Sequence, residues 1–125
     1  MKPSPVGAFF AILGIACFSF ALAFGPQPQR KPPKANYASV APIFKGCAMC
    51  HGGKHPQHGL DLSSYAKVMK GDGEGKVVIP GKPASSRLSK AVHRKGAAAM
   101  PPGRALPAAD VAKIDAWIKE GAKEK

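Results

Sequence analysis

Two cysteines and a histidine stand within five residues of one another, in the stretch CAMCH at residues 47–51. This C-x-x-C-H spacing has three chemical uses: part of a zinc site, a thiol redox pair, or the attachment site of a c-type haem. Each use requires a different fold around it. The rest of the sequence therefore has to decide between them.

An uncharged apolar run covers residues 6–24, shortly after Lys2. Its 19 residues would span about 28 Å as a helix, close to the thickness of a bilayer core. Ala21 and Ala23 are small residues of the kind that a signal peptidase prefers, which favours cleavage. The length of the run favours a retained membrane anchor instead, and lipidation of Cys17 is a third interpretation.

Residues 1–24 are therefore assigned to a signal peptide or an N-terminal membrane anchor. All three interpretations place the rest of the chain outside the cytoplasm. We expect it in the periplasm or on the outer face of the cytoplasmic membrane.

Residues 25–35 are predicted to be a linker, because the stretch GPQPQRKPPKAN, which begins at residue 25, holds four prolines and three cations. Such a composition favours an extended, semi-rigid spacer. The domain that follows, residues 36–125, has only about 90 residues. A core of that size is marginal without a covalent or metal staple.

Four helical patterns and no convincing strand alternation predict an all-α domain. The patterns cover residues 39–50, 63–71, 85–96 and 107–122. Ser39 is predicted to cap the first helix, with Pro42 in its first turn. Ser63 is the candidate cap of the second helix, and Gly71 and Gly96 are the expected ends of the second and third.

The first and last helices carry the clearest apolar stripes. In the first, Val40, Ile43, Phe44 and Cys47 follow helical spacing, which places the first cysteine of the motif on the buried face. The last helix has an apolar stripe at Val111, Ile114, Trp117 and Ile118. These two helices are expected to form much of the core.

The zinc and redox interpretations of the motif lack their usual context. The exported part has no third cysteine, and His55, His58 and His93 do not form the second ligand pair of a zinc finger. A redox pair usually opens a helix in a βαβ unit, whereas this pair closes a helix in an all-α pattern.

A covalent haem gives each residue of the motif a purpose. Cys47 and Cys50 lie one helical turn apart and can form thioethers with the two vinyl groups of one haem, while His51 can donate an imidazole nitrogen to the iron. One covalent haem c is also the staple that so small a domain needs. The predicted fold is a small helical domain around one haem, preceded by an apolar N-terminal helix.

Met100 is the predicted sixth iron ligand, because AAAMPPG places its thioether in a proline-stiffened loop between the third and fourth helices. Methionine opposite histidine suits a low-spin electron carrier and raises the reduction potential. Met69 is a rival, but its helical pattern favours a place in the core. His55, His58 and His93 are further rivals, and we expect them in solvent.

Several segments in the right order resemble the planctomycete-type branch of class I c-type cytochromes. They are APIFKGCAMCH, HGLDLSSYAKVMKGDGEGKVVIPGKPASSRLSKAV, MPPG and DVAKIDAWIKEGA, which together cover nearly all of residues 37–122. The resemblance implies a small helical fold around one haem. It also implies thioethers at Cys47 and Cys50, His51 as the proximal ligand and Met100 as the distal ligand.

Two positions depart from the family pattern. His58 stands where the family more often has glycine, and Pro107 replaces the usual Ser or Thr cap of the last helix. Neither residue is a predicted ligand. The departures therefore concern the conformation of the loops.

The positive charge of the chain limits the classes of partner that it is expected to bind. Of 19 Lys and Arg residues, 18 follow the first two residues, against 7 Asp and Glu, so the exported part carries +11. An exported chain without a groove-binding motif is not expected to bind nucleic acid, and an acidic docking surface on a redox protein partner fits better.

The predicted function is one-electron transport, not enzymatic catalysis, from a quinol-oxidising complex to an oxidase or a photochemical reaction centre. A retained anchor would make the protein a tethered subunit of such a complex. The alternative is a haem-based sensor or a peroxidase-like enzyme. That alternative requires an open sixth iron site.

Overall fold

The computed structural model describes residues 34–96 and 98–125. The predicted signal or anchor segment, with Cys17 inside it, lies outside these residues, as does most of the predicted linker. No helix in the described part is long and apolar enough to cross a membrane.

Helices account for all the regular structure in the described residues. Four α-helices run in chain order: α1 Tyr37–Cys47, α2 Tyr65–Lys70, α3 Arg87–Val92 and α4 Ala108–Lys119. Two short 3-10 turns occur at Gln57–Gly59 and Pro83–Ser85. No strand forms within residues 34–96 and 98–125, where only an isolated bridge pairs Asp72 with Gly75. The prediction of an all-α domain is confirmed for these residues.

The core lies mainly between α1 and α4. Phe44 of α1 is 1% exposed and Trp117 of α4 is fully buried, with their ring centroids 5.8 Å apart in an edge-on arrangement. All four residues of the predicted α4 stripe are buried, as are Val40 and Phe44 of α1. The apolar spacing of both helices therefore predicted their buried faces correctly.

Tyr37 joins this pair of helices to α2. Its ring centroid lies 6.0 Å from those of Phe44 and Trp117 and 5.5 Å from that of Tyr65. Its backbone N–H donates to the carbonyl of Lys123 at 2.9 Å, and Trp117 Nε1 donates to the same carbonyl at 2.9 Å. The start of α1 is thus fixed to the C-terminal end of the chain.

The predicted N-cap of α1, Ser39, was wrong by three residues. The helix begins at Tyr37 with Asn36 at the N-cap position, and the hydroxyl of Ser39 donates to the Asn36 carbonyl at 2.6 Å. Pro42 therefore lies inside the helix and not in its first turn. The aromatic contacts of Tyr37 and its hydrogen bond to Lys123 extend the helix beyond the point that local spacing indicated.

The ends of α2 and α3 show one correct and two incorrect predictions. Gly71 ends α2 as expected, with φ 87°, and a side chain there would collide with the carbonyl of Gly75. The cap position of α2 is Ser64 instead of Ser63. Helix α3 stops at Val92, four residues before Gly96, and Arg94 takes the left-handed backbone with φ 58°.

The connection between α2 and α3 is a loop that contains the second 3-10 turn. Arg87 binds it through four hydrogen bonds: Nη2 to Asp72 Oδ1 at 2.6 Å, Nη1 to Asp72 Oδ2 at 3.0 Å, Nη1 to Glu74 Oε2 at 2.9 Å, and Nη2 to the Gly75 carbonyl at 3.0 Å. The hydrogen bond from Arg87 holds the pKa of Asp72 below its usual range. Val77 and Val78 of this loop are buried in the core.

His58 occupies a left-handed backbone position in the first 3-10 turn, with φ 55° and ψ 19°. Glycine adopts this conformation without steric cost, whereas a side chain costs roughly 1–2 kcal/mol. This explains in physical terms why glycine suits the position at which the sequence departs from the family pattern. The departure therefore costs free energy in the folded state.

His58→Gly should raise the free energy of unfolding by roughly 0.5–1 kcal/mol, because glycine relieves the left-handed strain but adds entropy to the unfolded chain. Gln57→Gly, at the adjacent position with no left-handed backbone, should lower it by a similar amount. Chemical unfolding of the three purified proteins measures both changes. Destabilisation in both variants would mean that the His58 side chain makes contacts worth more than its backbone strain.

Candidate functional site

The CAMCH motif folds into the last turn of α1 and the residues that follow it. Cys47 is the final residue of the helix, and its carbonyl accepts hydrogen bonds from the backbone N–H groups of Cys50 at 3.2 Å and His51 at 2.9 Å. Helical hydrogen bonding therefore continues one turn past the assigned end of α1. It brings the two cysteines and the histidine to one place in the fold.

A return segment then closes around this turn. Gln57 N–H donates to the Cys50 carbonyl at 3.0 Å, and Leu62 N–H donates to the His51 carbonyl at 2.6 Å. Gly52 lies so close to the turn that a side chain at this position would meet the Ala48 carbonyl oxygen at 2.6 Å. Sequence analysis missed these supporting residues, although the glycine directly after the histidine was a visible signal.

Asp61 anchors the return segment to α2. Its Oδ2 lies 2.8 Å from Lys67 Nζ, and its Oδ1 accepts the Ser63 backbone N–H at 2.9 Å. The hydrogen bond from Lys67 has the largest effect on Asp61. Together with those from Ser63, it lowers the pKa of Asp61 to about 2. The carboxylate therefore stays charged at neutral pH beside Leu62, whose N–H holds the His51 carbonyl.

The two thiols are free and differ in their surroundings. Cys47 is half-buried and its Sγ donates a long 3.5 Å hydrogen bond to the Ile43 carbonyl, whereas Cys50 is exposed. Burial raises the pKa of the Cys47 thiol. A nucleophilic cysteine of a redox pair instead needs a lowered pKa, commonly from a helix N-terminus. The position of Cys47 at a helix C-terminus does not provide that environment.

A zinc site at the motif would need further His, Cys, Asp or Glu side chains close to it. Within residues 34–96 and 98–125, no three His, Cys, Asp or Glu side chains come together as a metal site. The motif therefore has no additional protein ligands of these types in the described part of the chain.

His51 is the predicted iron ligand of the motif, and its surroundings fit that role. Its side chain is half-buried, and its Nδ1 is fully buried without a hydrogen-bond partner. Buried polar atoms of this kind are rare and cost free energy, so each one requires an explanation. A free imidazole beside two free thiols fits the donor set of haem c.

Apolar side chains near the motif are only partly covered by protein. Three of them belong to α1 or to the return segment and pack against the core while keeping part of their surface exposed: Ile43, Cys47 and Leu60. A haem needs an apolar wall of this kind, and its binding would remove that surface from water. The surroundings of the motif therefore fit a haem as well as the donor set does.

The two candidate methionine ligands lie in different settings. Met69 lies on α2 and packs against the core, as its helical spacing predicted. Met100 is half-buried in the loop after α3, and its backbone N–H donates to the Ala91 carbonyl at 2.9 Å. Met100 is thus held in the loop from the α3 side. The other residues predicted to bind the haem, Cys47, Cys50 and His51, belong to the end of α1 and the turn after it.

The three remaining histidines lie at the surface, and one of them pairs with an aspartate. His55 and His58 are exposed, as expected. His93 is not simply solvated, because its Nε2 lies 2.6 Å from Asp115 Oδ2. Ser89 donates its hydroxyl to the other oxygen of Asp115 at 2.6 Å. His93 therefore links α3 to α4.

Two surface grooves lie beside this link. Their volumes are about 370 and 490 Å³, and His93 and Asp115 border both of them. The residues predicted to bind the haem line neither groove: Cys47, Cys50, His51 and Met100. The grooves are consequently separate from the candidate haem site.

Comparison with known proteins supports the haem interpretation of the motif. Residues 47–103 match the family model described as Planctomycete cytochrome C. The chain contains a planctomycete-type cytochrome c domain. The match runs from the first cysteine of the motif to three residues beyond Met100. A search of curated proteins and a search of solved structures each found no match.

Membership of this family defines the general chemistry of the cytochrome domain. A cytochrome c domain implies haem c as the cofactor and electron carriage as the role. The identification agrees with the free thiols, the unpartnered His51 nitrogen and the partly covered apolar wall. It also favours the haem interpretation over the zinc and redox interpretations.

Proposed function

We propose that this protein is a monohaem c-type cytochrome that carries single electrons on the outer side of the cytoplasmic membrane and is not an enzyme. The observation that carries the proposal is the family match over residues 47–103. This range includes the two predicted thioether cysteines and the two predicted iron ligands. Cys47 and Cys50 would form the thioethers, and His51 and Met100 would bind the iron.

Each of these residues has a defined task. The haem supplies one reversible one-electron change at its iron. The cysteines would fix the cofactor to the end of α1, and the His51 imidazole and the Met100 thioether would bind its iron. A full ligand set leaves no open site for a substrate, which favours a carrier over a sensor or a peroxidase-like enzyme.

The choice of Met100 over Met69 can be tested by substitution. Met100→Ala should keep the haem attached but remove the sulfur ligand, so the weak sulfur-to-iron charge-transfer band should disappear and the spin state should rise. Carbon monoxide should then bind readily to the reduced protein. The reduction potential should fall, because a thioether ligand favours reduced iron. Absorption spectra and potentiometric titration measure these changes.

Met69→Ala is the matched control, since it removes the other half-buried methionine. It should lower stability by about 2 kcal/mol, because its contacts with the core are only partial, and leave the iron spectrum unchanged. If the two variants exchange these behaviours, Met69 is the ligand. If the wild-type protein itself binds carbon monoxide freely, the sensor or enzyme alternative replaces the carrier.

An acidic docking surface on the redox partner is proposed from the charge of the chain. The sequence holds 19 Lys and Arg residues against 7 Asp and Glu. Most of these carboxylates are already engaged in ion pairs with Lys or Arg: Asp61, Asp72, Glu74 and Asp110. Such an excess of cations attracts an acidic partner over a Debye length of about 10 Å at 0.1 M salt.

The surface beside the motif is the proposed contact area. Met49, between the two cysteines, is 89% exposed, and Cys50 is also exposed. Lys45 and Lys54 are exposed on either side of the motif in the sequence. An exposed apolar side chain near cations suits a brief contact with an acidic protein, in which charge steers the encounter.

Lys45→Glu should lower the rate of electron transfer to an acidic redox protein several-fold at low salt, and the wild-type rate should fall as salt is added. Lys123→Glu makes the same charge change near the other end of α1, because the Lys123 carbonyl accepts the Tyr37 N–H; that end lies about 12 Å along the helix axis from Lys45, so the effect should be smaller. Stopped-flow absorbance measures the rates. Equal effects of the two substitutions, or a flat salt profile, would refute steering at the motif.

An exported location is proposed from residues 1–24, with either a cleaved signal peptide or a retained anchor. The intact mass of protein purified from its native membrane or periplasm should correspond to the full chain or to a chain lacking residues 1–23. One haem should be added in either case. A mature chain that begins at a lipid-modified Cys17 would exclude both forms, and the absence of haem mass would contradict covalent attachment.

A further inference from the structure

The loop that carries Met100 has few attachments in the described residues. The Met100 N–H donates to the Ala91 carbonyl at 2.9 Å, and Arg94 Nη1 donates to the Pro101 carbonyl at 3.0 Å. The contact from Arg94 is the only side-chain hydrogen bond that residues 98–106 receive from residues 34–96 and 98–125. One arginine therefore holds the residue next to the proposed sulfur ligand.

Arg94 makes this contact from an unusual backbone position. Its φ of 58° is left-handed, and it follows the end of α3 at the position where helices commonly place glycine. Lys95 N–H donates to the Lys90 carbonyl at 2.9 Å and Arg94 N–H to the Ala91 carbonyl at 3.0 Å. These two bonds form a complete Schellman motif around a strained, non-glycine residue.

The helix end that presents Arg94 is itself anchored. Asp115 of α4 holds α3 through Ser89 Oγ and His93 Nε2, each at 2.6 Å. The Ala91 carbonyl accepts both the Arg94 N–H of the helix end and the Met100 N–H of the loop. The end of α3 and the start of the Met100 loop therefore share one rigid attachment to α4.

Backbone strain next to a functional site persists where the surrounding structure holds the strained residue in place, and such strain is a reason to look for a role of that residue. We propose that Arg94 is the positioning residue for Met100, because its guanidinium holds the Pro101 carbonyl and thereby restrains the Met100 sulfur. The inference rests on the proposed role of Met100 as iron ligand. It does not require that Arg94 touch the haem.

Arg94→Gly separates this role from ordinary stabilisation, because it removes the guanidinium and relieves the left-handed strain together. Global stability should stay at the wild-type level or rise, since the lost hydrogen bond is offset by strain relief. The loop, however, should open more often. Affinity of the oxidised protein for imidazole, which competes with the sulfur, should increase by about tenfold, the effect of one lost charge-assisted hydrogen bond.

Amide hydrogen exchange supplies a readout that does not depend on ligand exchange at the iron. In Arg94→Gly, exchange at Met100 and the non-proline residues up to Leu106 should accelerate by about tenfold, with the amides of α4 unchanged. Arg94→Lys keeps a cationic donor and should restore part of the wild-type behaviour. Arg104→Ala is the matched control, since it removes an exposed arginine from the same loop that donates no side-chain hydrogen bond within the described residues.

The outcomes distinguish the two levels of the proposal. If Met100→Ala increases imidazole affinity but Arg94→Gly leaves affinity and loop exchange unchanged, the role of Arg94 is refuted alone. If Arg104→Ala raises affinity as much as Arg94→Gly does, loss of positive charge explains the effect and the positioning role is also refuted. If Met100→Ala itself has no effect on affinity, the proposed ligand is wrong and the inference for Arg94 falls with it.

Discussion

The packing of α1 against α4 is the interaction on which the rest of the structure depends. Trp117 and Phe44 are almost completely buried at this contact, and Tyr37 extends it to α2 and to the C-terminal end of the chain. Large aromatic side chains contribute the most apolar burial per residue, which a domain of this size needs. Because the motif forms the last turn of α1, this packing also determines where the candidate site lies.

The candidate site combines backbone order with side chains that have no partner in the protein. The carbonyls of Cys47, Cys50 and His51 all accept backbone hydrogen bonds, so the backbone of the motif is fixed by the protein itself. The thiols are free, the His51 Nδ1 is buried without a partner, and nearby apolar side chains are only partly covered. This combination of a fixed backbone and uncommitted side chains is characteristic of a prepared cofactor site.

Helix α3 connects the two sides of the proposed ligand set in a different way. Its end is fixed to α4 by Asp115 and supports the Met100 loop through Ala91 and Arg94. The same α4 packs against α1, which carries the other ligands. The helix with the clearest sequence pattern thus supports both the motif and the loop, although it supplies no predicted ligand itself.

The sequence alone determined the helical class, the buried stripe of α4 and the chemistry of the motif, because helical periodicity and C-x-x-C-H spacing are local properties. Tertiary structure decided where α1 begins and that the exposed His93 pairs with Asp115. The partner of His93 lies 22 residues away, and that of Tyr37 is Lys123. No local pattern encodes such contacts, because they exist only after α1, α3 and α4 have packed together.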